Sequence, residues 1–175
     1  MRAMDALDAI FARRDVRTYA DRPIASEALD RVLEAGRRAA SSINRQRWDF
    51  VVVTDRERLR DLAKVWERGG RHVAVSAATI ALVAPESRDP DEQVDIAFDL
   101  GQAAQNIQIA AAGLGIGSGH SSVIDQDLCR QLLGYPADRR CDYLITLGYP
   151  AGRPIRPLRA HKRRPFDDVV HRDGW

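Results

Sequence analysis

The longest helical signal in the chain, "DEQVDIAFDLGQAAQNIQIAAA" from Asp91 to about Ala112, sets the firmest limit on what can fold here. Its acidic opening suits a helix N-terminus, and Gly101, Ala103, Ala104, Ala110, Ala111 and Ala112 leave a surface that a second helix can approach closely. Such a helix is expected at the centre of the molecule or at a subunit interface. Around it stand three short apolar runs, "WDFVVV" at 48–53, "TIALVA" at 79–84 and "CDYLITLGY" at 141–149, whose near-continuous apolarity predicts strands buried on both faces.

The remaining helices follow from periodicity and caps. Met4, Leu7, Ile10 and Phe11 share one face, which predicts a first helix ending near Arg13 and Arg14. Ser26 reads as the N-cap of a helix over about 26–38, with Leu29, Val32, Leu33 and Gly36 at helical spacing. Thr54 and Glu57 read as a capping box for a third helix, and a short one is expected around Asp125 to Leu133, before a "GYP" turn. The chain shows no internal repeat and no low-complexity linker. At 175 residues and 45% hydrophobic composition it has room for one well-buried core, so residues 1–175 are read as a single domain.

Several function classes drop out. There is no apolar run of eighteen residues and no basic-then-apolar leader, so neither a membrane span nor export is expected, and a cytoplasmic location is. Cys129 and Cys141 form no CxxC, and His72, His120, His161 and His171 show no zinc-ligand spacing; these thiols read as structural and no metal is expected. A net charge of +2 with both signs spread along the chain, and basic residues without interleaved aromatics, speak against a nucleic-acid surface. Lys64 and Lys162 are the only lysines. With arginine so common, clusters such as "GRR" and "DRR" arise without function, and only position separates a meaningful one.

"FARRDVRTY" has such a position. Arg13, Arg14 and Arg17 fall just past the end of the first helix, and guanidinium forks suit a phosphate; the alternative is a surface set paired with Asp15 and Asp21. The glycines at 113–119 do not make a dinucleotide fingerprint, because a long helix precedes them instead of a strand. They read either as a helix end and turn, or as a place where backbone approaches a flat ligand. "SGHSS" lacks the G-x-S-x-G of a nucleophile elbow.

Taken in order, "RRDVRTY", "AASSINRQRWDFVVV", "DLGQAAQNIQIAAAGLGIGS" and "LITLGYP" before a basic "RRPFDDVV" tail resemble the nitroreductase family of FMN-dependent oxidoreductases over essentially the whole chain. The resemblance implies an α+β fold in which a mixed, mainly antiparallel sheet is wrapped by helices, in an intertwined homodimer with FMN at the interface. It also implies that Arg13, Arg14 and Arg17 hold the FMN phosphate and ribityl end, joined by Arg163 or Arg164 from the tail. Ser42, Asn44 and Gln46 match the family's S-x-N-x-Q-P-W loop, which reaches the flavin from the neighbouring subunit, with Arg38 just before it. Ser118, Gly119 and His120 occupy the segment along the isoalloxazine edge.

Three departures stand out. Asp15 replaces a serine and would orient the arginines or face the ribityl chain. Ala40 and Arg47 replace prolines, which predicts a less fixed loop backbone. His120 is the third, either a solvated loop histidine or a neighbour of the flavin. The implied activity is ping-pong reduction of a small electrophile, such as a nitroaromatic or quinone, by NAD(P)H, with no protein acid or base nominated. The alternatives are a flavin-destructase-like enzyme making dimethylbenzimidazole, for which Ser121 lies one place from the expected serine, a non-enzymatic flavin store, or a user of deazaflavin.

Overall fold

The computed structural model describes residues 4–158 and 163–175; His161 lies outside them. The elements run α1 (Ala6–Ala12), α2 (Ser26–Arg37), β1 (Asp49–Val53), α3 (Arg56–Leu62), α4 (Arg71–Ala74), β2 (Ala78–Pro85), α5 (Pro90–Gly113), β3 (Gly117–Ser122), α6 (Gln126–Leu133) and β4 (Arg139–Gly148). Aspartate starts four of these helices. Asp5, Asp55, Asp89 and Asp125 each accept a backbone N–H from the first turn, which satisfies a donor that has no partner within the helix. Two expected caps are therefore corrected. Ser26 is the first helical residue of α2, after Ala25, and Thr54 gives way to Asp55, because a carboxylate is the stronger acceptor at a helix N-terminus.

The four strands form one antiparallel sheet in the order β1-β2-β4-β3. Side chains of β2 alternate between two apolar layers. Ile80, Leu82 and Ala84 face α2 and α5 together with Ile145 and Leu147 of β4, while Ala81 and Val83 face α3 and α6 with Leu144. Helices on both faces explain why β2 and β4 read as unbroken apolar runs. Each fully buried leucine or isoleucine in these layers is worth roughly 1.5–3 kcal/mol of transfer free energy. The fold is thus the expected α+β arrangement of an antiparallel sheet wrapped by helices.

Two strands differ from expectation. Among the described residues β1 is an edge strand paired only with β2, and most of it is half-buried, because no described strand covers its outer side. β3, "GSGHSS", has no apolar residue and reads as a turn, yet it pairs with β4 along its whole length, from Gly117 opposite Gly148 to Ser122 opposite Tyr143. Tertiary pairing overrides local propensity there.

α5 is central, as its length predicts, and packs against α2, α1 and the sheet. The closest helix approach uses a glycine on the partner helix: a Cβ on Gly36 of α2 would stand 2.7 Å from Ile107 Cγ1 and 3.3 Å from Phe50 Cε2. Gly101 of α5, in contrast, faces open space. No helix among the described residues is long and apolar enough to cross a membrane. Replacing Gly36 by valine is expected to overpack this contact and lower stability by about 1–3 kcal/mol, seen as a lower urea midpoint at unchanged slope. An unchanged midpoint would show that α2 and α5 separate freely.

Candidate functional site

Beyond α1 the chain runs alongside β3. The Val16 N–H donates to the Ser118 carbonyl at 2.8 Å, and Asp15 and Ser118 form a short parallel bridge. Close packing makes this possible. A Cβ on Gly119 would meet the Val16 carbonyl oxygen at 2.7 Å, and one on Gly117 would meet Val16 Cγ2 at the same distance. These glycines are therefore accounted for by contact with the chain's own N-terminal segment. The segment is locked at its far end by Tyr19, whose buried hydroxyl donates to the Val16 carbonyl at 2.6 Å and lies 2.7 Å from Thr146 Oγ1. Burial holds this phenol well above its ordinary pKa, so it remains a neutral donor.

Docking in this way arranges the arginine stretch. Asp15 is its hub: Oδ1 lies 3.1 Å from Arg13 Nη1, and Oδ2 lies 4.0 Å from Arg17 Nη2 and 3.8 Å from His120 Nδ1. Arg13 also donates to Gln108 Oε1 of α5 at 3.2 Å. Arg14 leaves the group, because its Nη2 donates to the Arg153 carbonyl and desolvation lowers its pKa. Arg17 is 64% exposed and only loosely paired, which leaves most of its donors available to an anion.

Gln108 and His120 also line a cleft of about 890 Å³ between α5 and the sheet, with Leu82, Ile96, Leu100 and Ile145 in its walls. That volume lies within the range of small-molecule sites, roughly 300–1,000 Å³. An arginine-bearing segment joined through Gln108 and His120 to a largely apolar cleft fits a ligand with a phosphate at one end and a planar aromatic group at the other, which is the chemistry of FMN. No group of three or more metal-ligating side chains occurs among the described residues.

The polar loop sits elsewhere in the chain's own surface. Ser42, Asn44 and Gln46 lie before β1, and among the described residues no hydrogen bond or ion pair joins them, or Arg38, to Arg13 or Arg17. Arg38 pairs with Glu34 at 2.6 Å. Ile43, Asn44 and Gln46 all have positive φ, 51°, 55° and 50°, a backbone state that L-residues rarely hold without support. The loop is anchored, in contrast to the mobility expected without prolines. Arg47, 9% exposed, pairs with Glu92 at 2.9 Å and lies near Asp95 and Asp99 of α5. Arg163 and Arg164 are exposed, and Arg164 donates to the Asp168 carbonyl at 2.6 Å. The chain before them returns to the site, with the Leu158 N–H on the Phe11 carbonyl and Ile155 packed against Ala12, Val16 and Tyr19.

Gln108, Tyr19, His72 and Asp99 were not legible as site residues. Gln108 and Asp99 leave one trace, since each is a polar residue next to an apolar position of the α5 stripe. His72 supports β3 from below: its Nε2 lies 3.1 Å from the His120 carbonyl, and the ring is buried. Burial lowers its pKa, against the opposing pull of the His120 and Gly69 carbonyls. A neutral buried histidine must charge on unfolding in acid, so its contribution is present above about pH 6.5 and lost as pH falls below it. His72→Gln is expected to flatten the fall in unfolding free energy below about pH 6.5; an unchanged slope would remove His72 as its source.

The chain is similar in sequence and fold to known proteins. The family model described as the nitroreductase family matches residues 10–76 and 66–149. A candidate NADH dehydrogenase/NAD(P)H nitroreductase of Archaeoglobus fulgidus is 33% identical over 177 residues, covering 98% of this chain and 99% of that one. An NADPH-flavin oxidoreductase of Vibrio harveyi is 28% identical, covering 98% of this chain and 75% of its own. Among solved structures, nitroreductase A of Vibrio parahaemolyticus superposes with a TM-score of 0.83 at 27% identity, over 99% of this chain and 77% of that one. From the matched motifs, the sheet order and these likenesses together, the chain belongs to the nitroreductase family and is an oxidoreductase.

Proposed function

We propose that this protein is an FMN-dependent NAD(P)H oxidoreductase that reduces a small electrophile such as a nitroaromatic or quinone. The observation that carries this reading is the convergence of Arg13 and Arg17 on Asp15, a group joined to the largely apolar cleft through Gln108, which Arg13 contacts, and His120, which Asp15 faces. The flavin chemistry in the name of the similar Vibrio harveyi protein supports it. FMN held here would supply two-electron redox chemistry between NAD(P)H and the acceptor, with the protein providing binding and geometry.

The protein's own residues supply binding and geometry. Arg17 meets the phosphate, because its guanidinium is exposed and remains charged at neutral pH. Arg13, held by Asp15 and Gln108, contributes a fixed donor toward the ribityl end, and Arg14 braces the tail turn from which Arg163 or Arg164 reaches the phosphate. Asp15 orients Arg13 and Arg17 and prevents them from repelling one another. Ser118, Gly119 and His120 border the ring, and the apolar wall from α5 and the sheet excludes water from it.

Ser42, Asn44 and Gln46, with Arg38 nearby, serve the site of a neighbouring copy in a homodimer. Val94 and Phe98 on α5, each 68% exposed, and Ile43, 86% exposed, are apolar groups that a second copy would cover. Sedimentation is expected to give a dimer, and a monomer with stoichiometric flavin would remove the role assigned to this loop.

The absorbance spectrum of the purified protein, before and after anaerobic NADPH or NADH, tests the reading. An oxidised-flavin spectrum that bleaches supports it; bound flavin that neither nucleotide bleaches favours storage, and a colourless protein that takes up no added FMN overturns it. Arg17→Ala is expected to weaken FMN binding about tenfold or more, measured by flavin fluorescence, since a charge-assisted contact of roughly 1.5–3 kcal/mol is lost. Full FMN retention in that variant would count against the phosphate assignment.

A further inference from the structure

The loop from Ser41 to Arg47 holds three non-glycine residues in left-handed backbone, and a short turn braces it from within, with the Asn44 N–H on the Ser41 carbonyl at 2.9 Å and the Arg45 N–H on the Ser42 carbonyl at 3.0 Å. Gln46 donates from its backbone to Ser41 Oγ at 3.0 Å and from its amide to Asn44 Oδ1 at 3.1 Å. Charged ties run out to α5. Asp99, 1% exposed, accepts the Ser42 N–H at Oδ1 (3.0 Å), while its Oδ2 stands 3.8 Å from Arg47 Nη2. Both ends of the loop thus meet on a single buried carboxylate. Glu92 and Asp95 extend the contact: at i, i+3 and i+7 the three acids share one face of α5, and the Arg47 guanidinium lies among them. A buried carboxylate and guanidinium are costly alone, so each compels the other to stay in place.

We propose that Arg47 and Asp99 are positioning residues for the cofactor-facing loop, fixing by charge a backbone that the family's usual prolines would fix by ring geometry. The proposal rests on the reading that Ser42, Asn44 and Gln46 meet FMN. Their side chains are half-buried or exposed, and a loop backbone held in place before the ligand arrives removes an ordering cost from binding. Arginine suits the task better than lysine because its planar fork engages several carboxylates at once.

The test uses the full chain, stripped of flavin, with Arg47→Met, Arg47→Lys and Asp99→Asn. FMN affinity is read from quenching of flavin fluorescence, and loop order from amide hydrogen exchange without ligand. Arg47→Met is expected to raise the FMN Kd at least tenfold and to speed exchange at Ser42 and its neighbours, leaving the amides of β2 and β4 as slow as in the wild type. Arg47→Lys should recover a substantial part of both losses. Asp99→Asn, which keeps an acceptor for Ser42 but not the charge facing Arg47, should fall between. If Arg47→Met does not fold, the lysine and asparagine variants carry the same comparison. An FMN Kd within twofold of wild type in Arg47→Met overturns the proposal, whether or not exchange in the loop has risen. If the wild-type protein takes up no FMN, the flavin reading fails separately, and the exchange data decide the anchor: faster exchange at Ser42 supports it, and unchanged exchange overturns it.

Discussion

Everything charged at the candidate site depends on a contact that carries no charge, the docking of Val16 and Tyr19 against β3 and β4. The Val16 side chain fills the space over Gly117, its carbonyl sits over Gly119, and the Tyr19 hydroxyl ties that carbonyl toward Thr146. A buried hydrogen-bonded hydroxyl left without its partners costs about 1–3 kcal/mol, whereas exposed ion pairs such as those of Asp15 are worth roughly 0–1 kcal/mol each. Neutral packing therefore sets where Arg13, Asp15 and Arg17 stand. The ion pairs adjust the directions in which the guanidinium groups point.

Two aspartates organise the polar chemistry, in different ways. Asp15 is partly exposed and shared among Arg13, Arg17 and His120 at 3.1–4.0 Å, an arrangement that an incoming anion can rearrange at small cost. Asp99 is buried, and its contacts to Ser42 and Arg47 cannot be exchanged for water without leaving a charge unpaired. The first suits a binding rim. The second suits a fixed support, and both are tied to α5, Asp15 by way of Arg13 and Gln108 and Asp99 as a residue of the helix itself. The long helix thereby ties the arginine segment, the cleft wall and the polar loop to one rigid element.

Much of this was legible in the residues. The end of α1 before Arg13, the length of α5, and β2 and β4 follow from periodicity and composition, because those signals are local and strong. Caps were less legible where two polar residues compete, as at Thr54 and Asp55. β3 was hidden, since "GSGHSS" carries no hydrophobic pattern and becomes a strand only because β4 offers it a complete ladder. The grouping of three arginines was legible as chemistry but not as geometry: Arg14 turns to the Arg153 carbonyl, and nothing near it in the chain foretells that acceptor.

By itself, then, the amino-acid sequence determined the helices other than α4, the two central strands, the concentration of guanidinium groups beyond α1 and the likeness to a family of flavin enzymes. These are properties of short segments and of side-chain chemistry. The tertiary structure alone decided that β1 is an edge, that Asp15 faces His120 as well as the arginines, and that Arg47 closes on Asp99. Those outcomes depend on which distant residues the packing of α5 against the sheet brings within a few ångströms, and no local pattern encodes that distance.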